Sequence, residues 1–307
     1  MTSASLTRRA LGLAVGALSA SNAASAGTQA KPMRSTALTA GEAVARIQAQ
    51  CAKEGVAWQA DGVDTFKIGD PRTPVRGIVT SFMGTLNVLK RAASLGATFV
   101  VTHEPVFWSA RDLTDDLIDD PLYQIKTRFA RQHDLVVWRF HDHWHRISPE
   151  PMSLALMRQL GWERYVDPSS RGYTRHFNIP PQTLASLAQD ISRRLPTRSL
   201  RVVGDPAMVV TKVGNSSHSV ADVIRMFEVS DVLISPEVRE FETVEYIRDA
   251  AALGFRKAAI LIAHERGEEG GMQVCADWMR PLFPNLPITF ISAAEPFLTP
   301  PFASSAR

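Results

Sequence analysis

The stretch Phe99-Val100-Val101-Thr102-His103-Glu104-Pro105 leaves the chain few options. A largely β-branched apolar run without polar alternation reads as a strand buried on both faces, the mark of a parallel sheet covered by helices. The run ends in an imidazole and a carboxylate, and Pro105 removes the backbone N–H that would continue the ladder. Open α/β sheets place their ligand sites at the carboxyl ends of such strands. A second copy, Ala259-Ile260-Leu261-Ile262-Ala263-His264-Glu265, comes late in the chain. Both copies follow segments that end alike, Ala92-Ala93-Ser94-Leu95-Gly96 and Ala251-Ala252-Leu253-Gly254. The chain therefore reads as two related βαβ units, each delivering a His-Glu pair to one site.

A third strand of the same kind, Leu135-Val136-Val137-Trp138-Arg139-Phe140, runs into His141, Asp142, His143 and His145. One or two of these side chains are candidate ligands and the rest line the pocket. His264 and Glu268 are four residues apart, so a helical turn after the second strand puts both on one face. His103 and Glu104 are adjacent, and an ordinary strand would point them to opposite faces. Beside Pro105 the backbone can turn, and adjacent ligands can serve two neighbouring ions. This favours a two-metal site with ions roughly 3.5–4 Å apart. Imidazole and carboxylate donors together suit zinc, iron or manganese better than calcium or magnesium. His133, His176 and His218 read as structural.

Composition narrows the function classes. With 307 residues, 45% of them hydrophobic, the chain can bury a substantial core. The formal charge is +3. Removing the first 26 residues, which hold Arg8, Arg9 and no acid, leaves 3 − 2 = +1. A nearly neutral body lacks the basic footprint of a nucleic-acid binder, and it contains no apolar run that could span a bilayer. The two cysteines, Cys51 and Cys275, stand in no metal-ligand spacing and read as buried apolar residues.

The amino terminus has the three parts of an export signal in order: Arg8-Arg9, an Ala/Gly-rich apolar run, and Ala24-Ser25-Ala26 as cleavage site. The twin arginine points to export of an already folded protein and so to a periplasmic location. Behind this 1–26 leader, residues 37–164 read as a first α/β lobe carrying metal ligands and 165–227 as an intervening α/β module. Residues 228–302 read as the second βαβ unit, completing the site. The expected fold is α/β: two lobes, each with a mixed, mainly parallel sheet, and a metal cleft between them. Helices are expected from Thr39 to Gly55, Leu86 to Leu95, Pro121 to Gln132, Glu150 to Leu160, Thr243 to Leu253 and Gly270 to Leu282, with a proline-initiated helix following the strand near Phe177.

In this order and spacing the motifs resemble the Nif-three-like dinuclear-metal family, whose members are also labelled GTP cyclohydrolase I type 2 homologues. The family's His-His-Pro-(hydrophobic)-Phe matches His103-Glu104-Pro105-Val106-Phe107, and its later His with an acid four positions on matches His141 and His145. Its Thr-Gly-Glu corresponds to Ser235-Pro236-Glu237, and its Gly-His with a Glu four residues later to Ala263-His264 with Glu268. The match continues through Gly270-Gly271 to Phe290-Ile291 and Pro296-Phe297. Two departures offset each other: Glu104 replaces an imidazole and His145 replaces a carboxylate. The implied ligand set is His103, Glu104, His145, His264 and Glu268, with His141 beside it. Alternatively Asp142 or His143 takes the place of His145, or a single ion binds. The family's glycine-rich loop is eroded to Gly214-Asn215-Ser216-Ser217, a departure that touches any substrate-phosphate contact shared with the family.

The resemblance implies two divalent transition-metal ions, a homo-oligomer (a hexamer in the family), and a hydrolase acting through a metal-activated water. Its substrate is a small molecule, with nucleotide-like compounds among the candidates. Glu237 and Glu265, not needed as ligands, are the candidates for proton transfer. Trp108 and Trp144 could stack a planar ring at the mouth of the site. The alternative is a non-catalytic metal-binding or metal-delivery protein.

Overall fold

A computed structural model of the chain describes residues 37–215 and 219–298. The expected 1–26 leader, Ser216, Ser217 and His218 lie outside the described residues.

The sequence enters its first helix, α1 (Ala40–Lys53), through a capping box in which Thr39 and Glu42 satisfy each other's backbone N–H groups. Strands β1 (Phe66–Ile68), β2 (Ile78–Met83), β3 (Phe99–Glu104) and β4 (Val136–Arg139) follow, with helices α2 (Leu86–Ser94) and α3 (Pro121–Gln132) as crossovers. Thr85 caps α2 and Asp120 caps α3 ahead of Pro121. The chain then passes through helix α4 (Pro151–Leu160) into strand β5 (Arg175–Thr183), helix α5 (Leu184–Arg194), and strands β6 (Arg201–Val203) and β7 (Val209–Asn215). Helix α6 (Val220–Phe227), strand β8 (Val232–Ser235), helix α7 (Glu245–Ala252) and strand β9 (Ala258–Leu261) complete a second sheet. Helix α8 (His264–Met279) and strand β10 (Ile288–Phe290) close the described chain.

The first sheet has the order β1-β4-β3-β2-β10 and the second β5-β7-β8-β9-β6. In the first, β10, β2, β3 and β4 run parallel and only β1 is antiparallel. In the second, β7, β8 and β9 are parallel, and the edge strands β5 and β6 are antiparallel. Two mixed, α/β-covered sheets are thus present, as the apolar runs require.

Alternation along β3 sorts its side chains between two cores. Phe99 and Val101 pack with Trp138 against α1 and α8, whereas Val100 packs with Val79 and Val137 against α2 and α3. Cys51 and Cys275 are unpaired and sit in the first of these cores. The last strand returns to the first sheet, pairing Ile288, Thr289 and Phe290 with Ile78, Val79 and Thr80. Helix α8 follows β9 of the second sheet but packs on α4 and on β2 of the first. The helix is therefore the hand-over between the sheets, and its first turn carries His264 and Glu268.

Several boundaries differ from expectation for identifiable reasons. The α5 helix is not proline-initiated: Pro180 and Pro181 belong to the edge strand β5, where a missing donor is tolerated, and Thr183 caps a helix starting at Leu184. The α8 helix starts at His264, six residues before Gly270. Its glycines weaken helix propensity, but burial of Met272, Cys275, Ala276 and Met279 offsets this. At Gly271 α4 comes so close that an added Cβ would lie 1.9 Å from Met152 Sδ. The expected 243–253 helix begins as a wider π-turn at Glu240–Val244. No described helix is long and apolar enough to cross a membrane.

Candidate metal centre

The carboxyl ends of β3 and β4 and the first turn of α8 bring His103, Glu104, His141, His145, His264 and Glu268 together. Ligand atoms of His103, His141 and His145 all lie within 4.8 Å of one another, and so do those of His103, Glu104 and Glu268. His103 belongs to both groups. The alternation that separates adjacent residues inside a strand no longer holds at the last residue of β3, and Glu104 reaches the same centre as His103.

Each element has a local reason for its geometry. Beyond β4 the chain turns around the buried carboxylate of Asp64. Asp64 Oδ1 accepts from the backbone N–H of His141 (2.6 Å) and Asp142 (3.0 Å), and Oδ2 accepts from the N–H of His143 (2.9 Å) and its Nδ1 (2.6 Å). A 3₁₀ turn, Trp144–Arg146, then brings His145 back, with its N–H donating to the His141 carbonyl. In α8 the i,i+4 spacing sets His264 Nε2 3.1 Å from Glu268 Oε2.

Three imidazoles share one orientation rule. His103 Nδ1 donates to the Phe140 carbonyl (3.3 Å), His141 Nδ1 faces Asp142 Oδ1 (2.8 Å), and His145 Nδ1 faces Glu150 Oε1 (2.8 Å). Outer partners of this kind fix the tautomer and leave Nε2 as the available ligand atom. The rings are close, with centroids 4.5 Å apart for His103–His141 and 4.7 Å for His103–His145. Glu268 is steadied by the Tyr173 hydroxyl, which donates to Oε1 (2.9 Å), and Glu104 by Arg139 (3.3 Å).

His103 tests whether a metal fits. Burial, reinforced by His141 and His145, holds its pKa well below the ordinary imidazole value, so the ring is neutral. Nδ1 carries the proton, because a carbonyl can only accept. Nε2 is therefore a bare acceptor, fully buried and without a hydrogen-bond partner among the described residues. Its nearest carboxylate is Glu268 Oε2 at 3.6 Å, which is also an acceptor. Two lone pairs facing each other in a buried space call for a cation. Ligand atoms about 2.1 Å from a tetrahedral zinc lie roughly 3.4 Å apart, and the separations here are similar: 3.6 Å for His103–Glu268 and 3.7 Å for His141–Glu104.

The charges tell the same story. Burial alone would lift the Glu268 carboxyl, but His264 and His145 hold it down at about 2. Burial would likewise lower His264, but Glu268 and Glu104 raise it to about 9. Burial raises Glu104. The metal-free centre thus borrows a proton on His264 to balance its carboxylates, the role a cation would take over.

Other predicted residues fall outside the cluster. His143 is consumed structurally, its Nδ1 on Asp64 and its Nε2 accepting from the Gln59 N–H (2.8 Å), with Trp58 stacked at 3.6 Å. His133 and His176 hydrogen-bond to Phe129 and Ser230. Glu237 lines the cavity in front of the centre, together with Glu104, His141 and His264. Glu265 is absent from that lining: it is buried, its Oε1 has no partner among the described residues, and Glu295 and Glu269 act on it. Trp108 stands at the mouth, but Trp144 does not. It is fully buried against Phe140 and Trp278. Sequence reasoning missed Asp64, Glu150 and Tyr173. Only Glu150, just ahead of Pro151, carried a signal, that of a helix cap, and it does cap α4.

The structure resembles several solved ones. A Staphylococcus aureus hypothetical protein superposes with a TM-score of 0.65 at 16% identity, covering 86% of this chain and 100% of the other. A Bacillus cereus protein related to NIF3 gives 0.65 at 13% identity, with coverage of 86% and 100%. The protein ybgI, described as of unknown function, gives 0.65 at 21% identity, with coverage of 84% and 100%. At these identities the likeness speaks for the fold. No curated protein sequence matches closely enough to count as a relative. The sequence pattern of DUF34/NIF3 (NGG1p interacting factor 3) matches residues 42–296, which span both sheets and every residue of the histidine–glutamate cluster, and the chain belongs to that family.

Proposed function

We propose that the cluster holds two divalent transition-metal ions, zinc, iron or manganese, and that the protein is a metal-dependent hydrolase. The observation that carries this reading is the buried Nε2 of His103, which has no hydrogen-bond partner among the described residues and faces the Glu268 carboxylate. His141, His145, Glu104, Glu268 and His264 complete the donor set, and His103 is the member common to both ligand groups. When bound, the ions would supply a water of lowered pKa and a Lewis acid for the scissile group. The chain's own residues do the rest. Asp142, Glu150 and Tyr173 orient ligands, and the neutral His103 keeps its lone pair free. Glu237, which lines the cavity together with His264, would take and return a proton at the reacting atoms.

Export through the Arg8-Arg9 leader, homo-hexameric assembly and a small-molecule substrate belong to the same proposal. The test is a hydrolase panel run on metal-loaded protein. Activity that disappears on chelation, returns with one of the three metals and falls at least a hundredfold in Glu237→Gln supports the reading. Tight metal binding with no turnover on any substrate class would replace it with a storage or delivery role.

A further inference from the structure

The cavity in front of the cluster measures about 430 Å³, within the range of roughly 300–1,000 Å³ typical of small-molecule sites. Part of its lining is apolar, from Met83, Pro105 and Trp108. Trp108 is 56% exposed and has φ of 48°, a left-handed conformation rare for so bulky a residue. Both features cost free energy, and the loop is held to them. Asp112 Oδ1 accepts from the N–H groups of Val106 (2.6 Å) and Phe107 (2.8 Å), and Lys67 pairs with Oδ2 at 3.5 Å. Lys126 donates to the Val106 carbonyl and lies 5.3 Å from the indole centroid. Strain maintained by its surroundings at the edge of a site points to a use.

The lining also holds the carboxylates of Asp142 and Glu237 and the imidazoles of His141 and His264. Arg139 is the single Lys or Arg of the lining among the described residues, and its nitrogens are committed: Nε to the His103 carbonyl, one terminal nitrogen to the Ala110 carbonyl, the other to Glu104.

We propose that the cavity takes a flat heteroaromatic ring, uncharged or cationic and with N–H donors on its edge, stacked on Trp108 and hydrogen-bonded to the carboxylates of the lining. The identity of this ring as the substrate's rests on the metal-centre reading, whereas the stacking itself needs no ion. Calorimetric titrations of the full chain with guanosine and with 2-aminobenzimidazole test it, in metal-free and metal-loaded samples of known metal content. In metal-free protein we expect at least one of the two ring probes to bind, Trp108→Ala to weaken that binding about tenfold or more, and Trp108→Phe to restore most of it. Absence of binding by both ring probes or unchanged affinity in Trp108→Ala would overturn the proposal. Ring binding by a chain that takes up no metal would sink the metal centre and leave this site standing. Metal uptake without ring binding would do the reverse.

Discussion

Replacing Asp64 with asparagine probes how the His141 loop is held. The carboxylate is 1% exposed and accepts four hydrogen bonds, two on each oxygen. Asparagine keeps one acceptor oxygen. Its NH₂ must face either the N–H pair of His141 and Asp142 or the two donors of His143. Hydrogen bonds to a charged acceptor contribute about 1.5–3 kcal/mol each, and donors left facing a donor carry a further penalty. Losing two such bonds, offset by relaxation of the loop around residues 59–64, gives a destabilisation of about 3 kcal/mol. At roughly 2–4 °C per kcal/mol for a body of this size, the melting temperature falls by about 6–12 °C. The same change frees the loop that aims His141, so metal affinity drops by about 10–100-fold. Thermal unfolding of metal-free protein by circular dichroism and competition against a fluorescent chelator measure the two effects. Asp61→Asn, on an exposed neighbour, is the control and should stay within about 0.5 kcal/mol. If Asp64→Asn matched that control, or lost stability while binding metal as tightly as the wild type, the carboxylate would not be what positions His141.

Other outcomes follow from the same contacts. Glu150→Gln, which weakens the hold on His145 Nδ1, lowers metal affinity about 10–100-fold in the same chelator assay. Gly271→Ala forces a methyl group to within 1.9 Å of Met152 Sδ and costs about 1–3 kcal/mol in denaturant unfolding. In the metal-free protein His264 has its pKa raised to about 9 from an ordinary 6.5. Its contribution to stability is therefore complete below pH 6.5 and is lost as pH rises through about 9. Metal must displace that proton, so apparent affinity rises over the same window, and calorimetry near pH 8 in two buffers should register release of about one proton per site. Chelation at pH 7 leaves both sheets folded, with unchanged far-ultraviolet dichroism, because His264⁺ stands in for the ion.

The strands that define the site were legible because a parallel strand buried on both faces is written as an uninterrupted apolar run, and three of them end in potential ligands. His264 and Glu268 were legible through helical spacing, although α8 starts earlier than its glycines suggest. What could not be read was anything set by long-range contact. Asp64 lies 77 or more residues from the groups it binds, and Tyr173 lies 95 residues from Glu268. Neither sits in a motif. The same distance hid the difference between His143 and His141: two neighbouring imidazoles, one consumed by Asp64 and Gln59, the other turned toward Glu104. The strand and its prolines at Pro180-Pro181 misled in the opposite direction, because a helix-start signal also suits an edge strand whose donors face away from the sheet.

Elemental analysis of the purified protein, wild type beside His103→Ala, tests the metal centre most directly. His103 is the residue shared by both ligand groups, so about two equivalents of a divalent transition metal per chain should fall to nearly none in the variant, with the fold intact by dichroism. Wild-type protein that stays near zero after incubation with zinc, iron and manganese, or a variant that keeps the wild-type content, would contradict it.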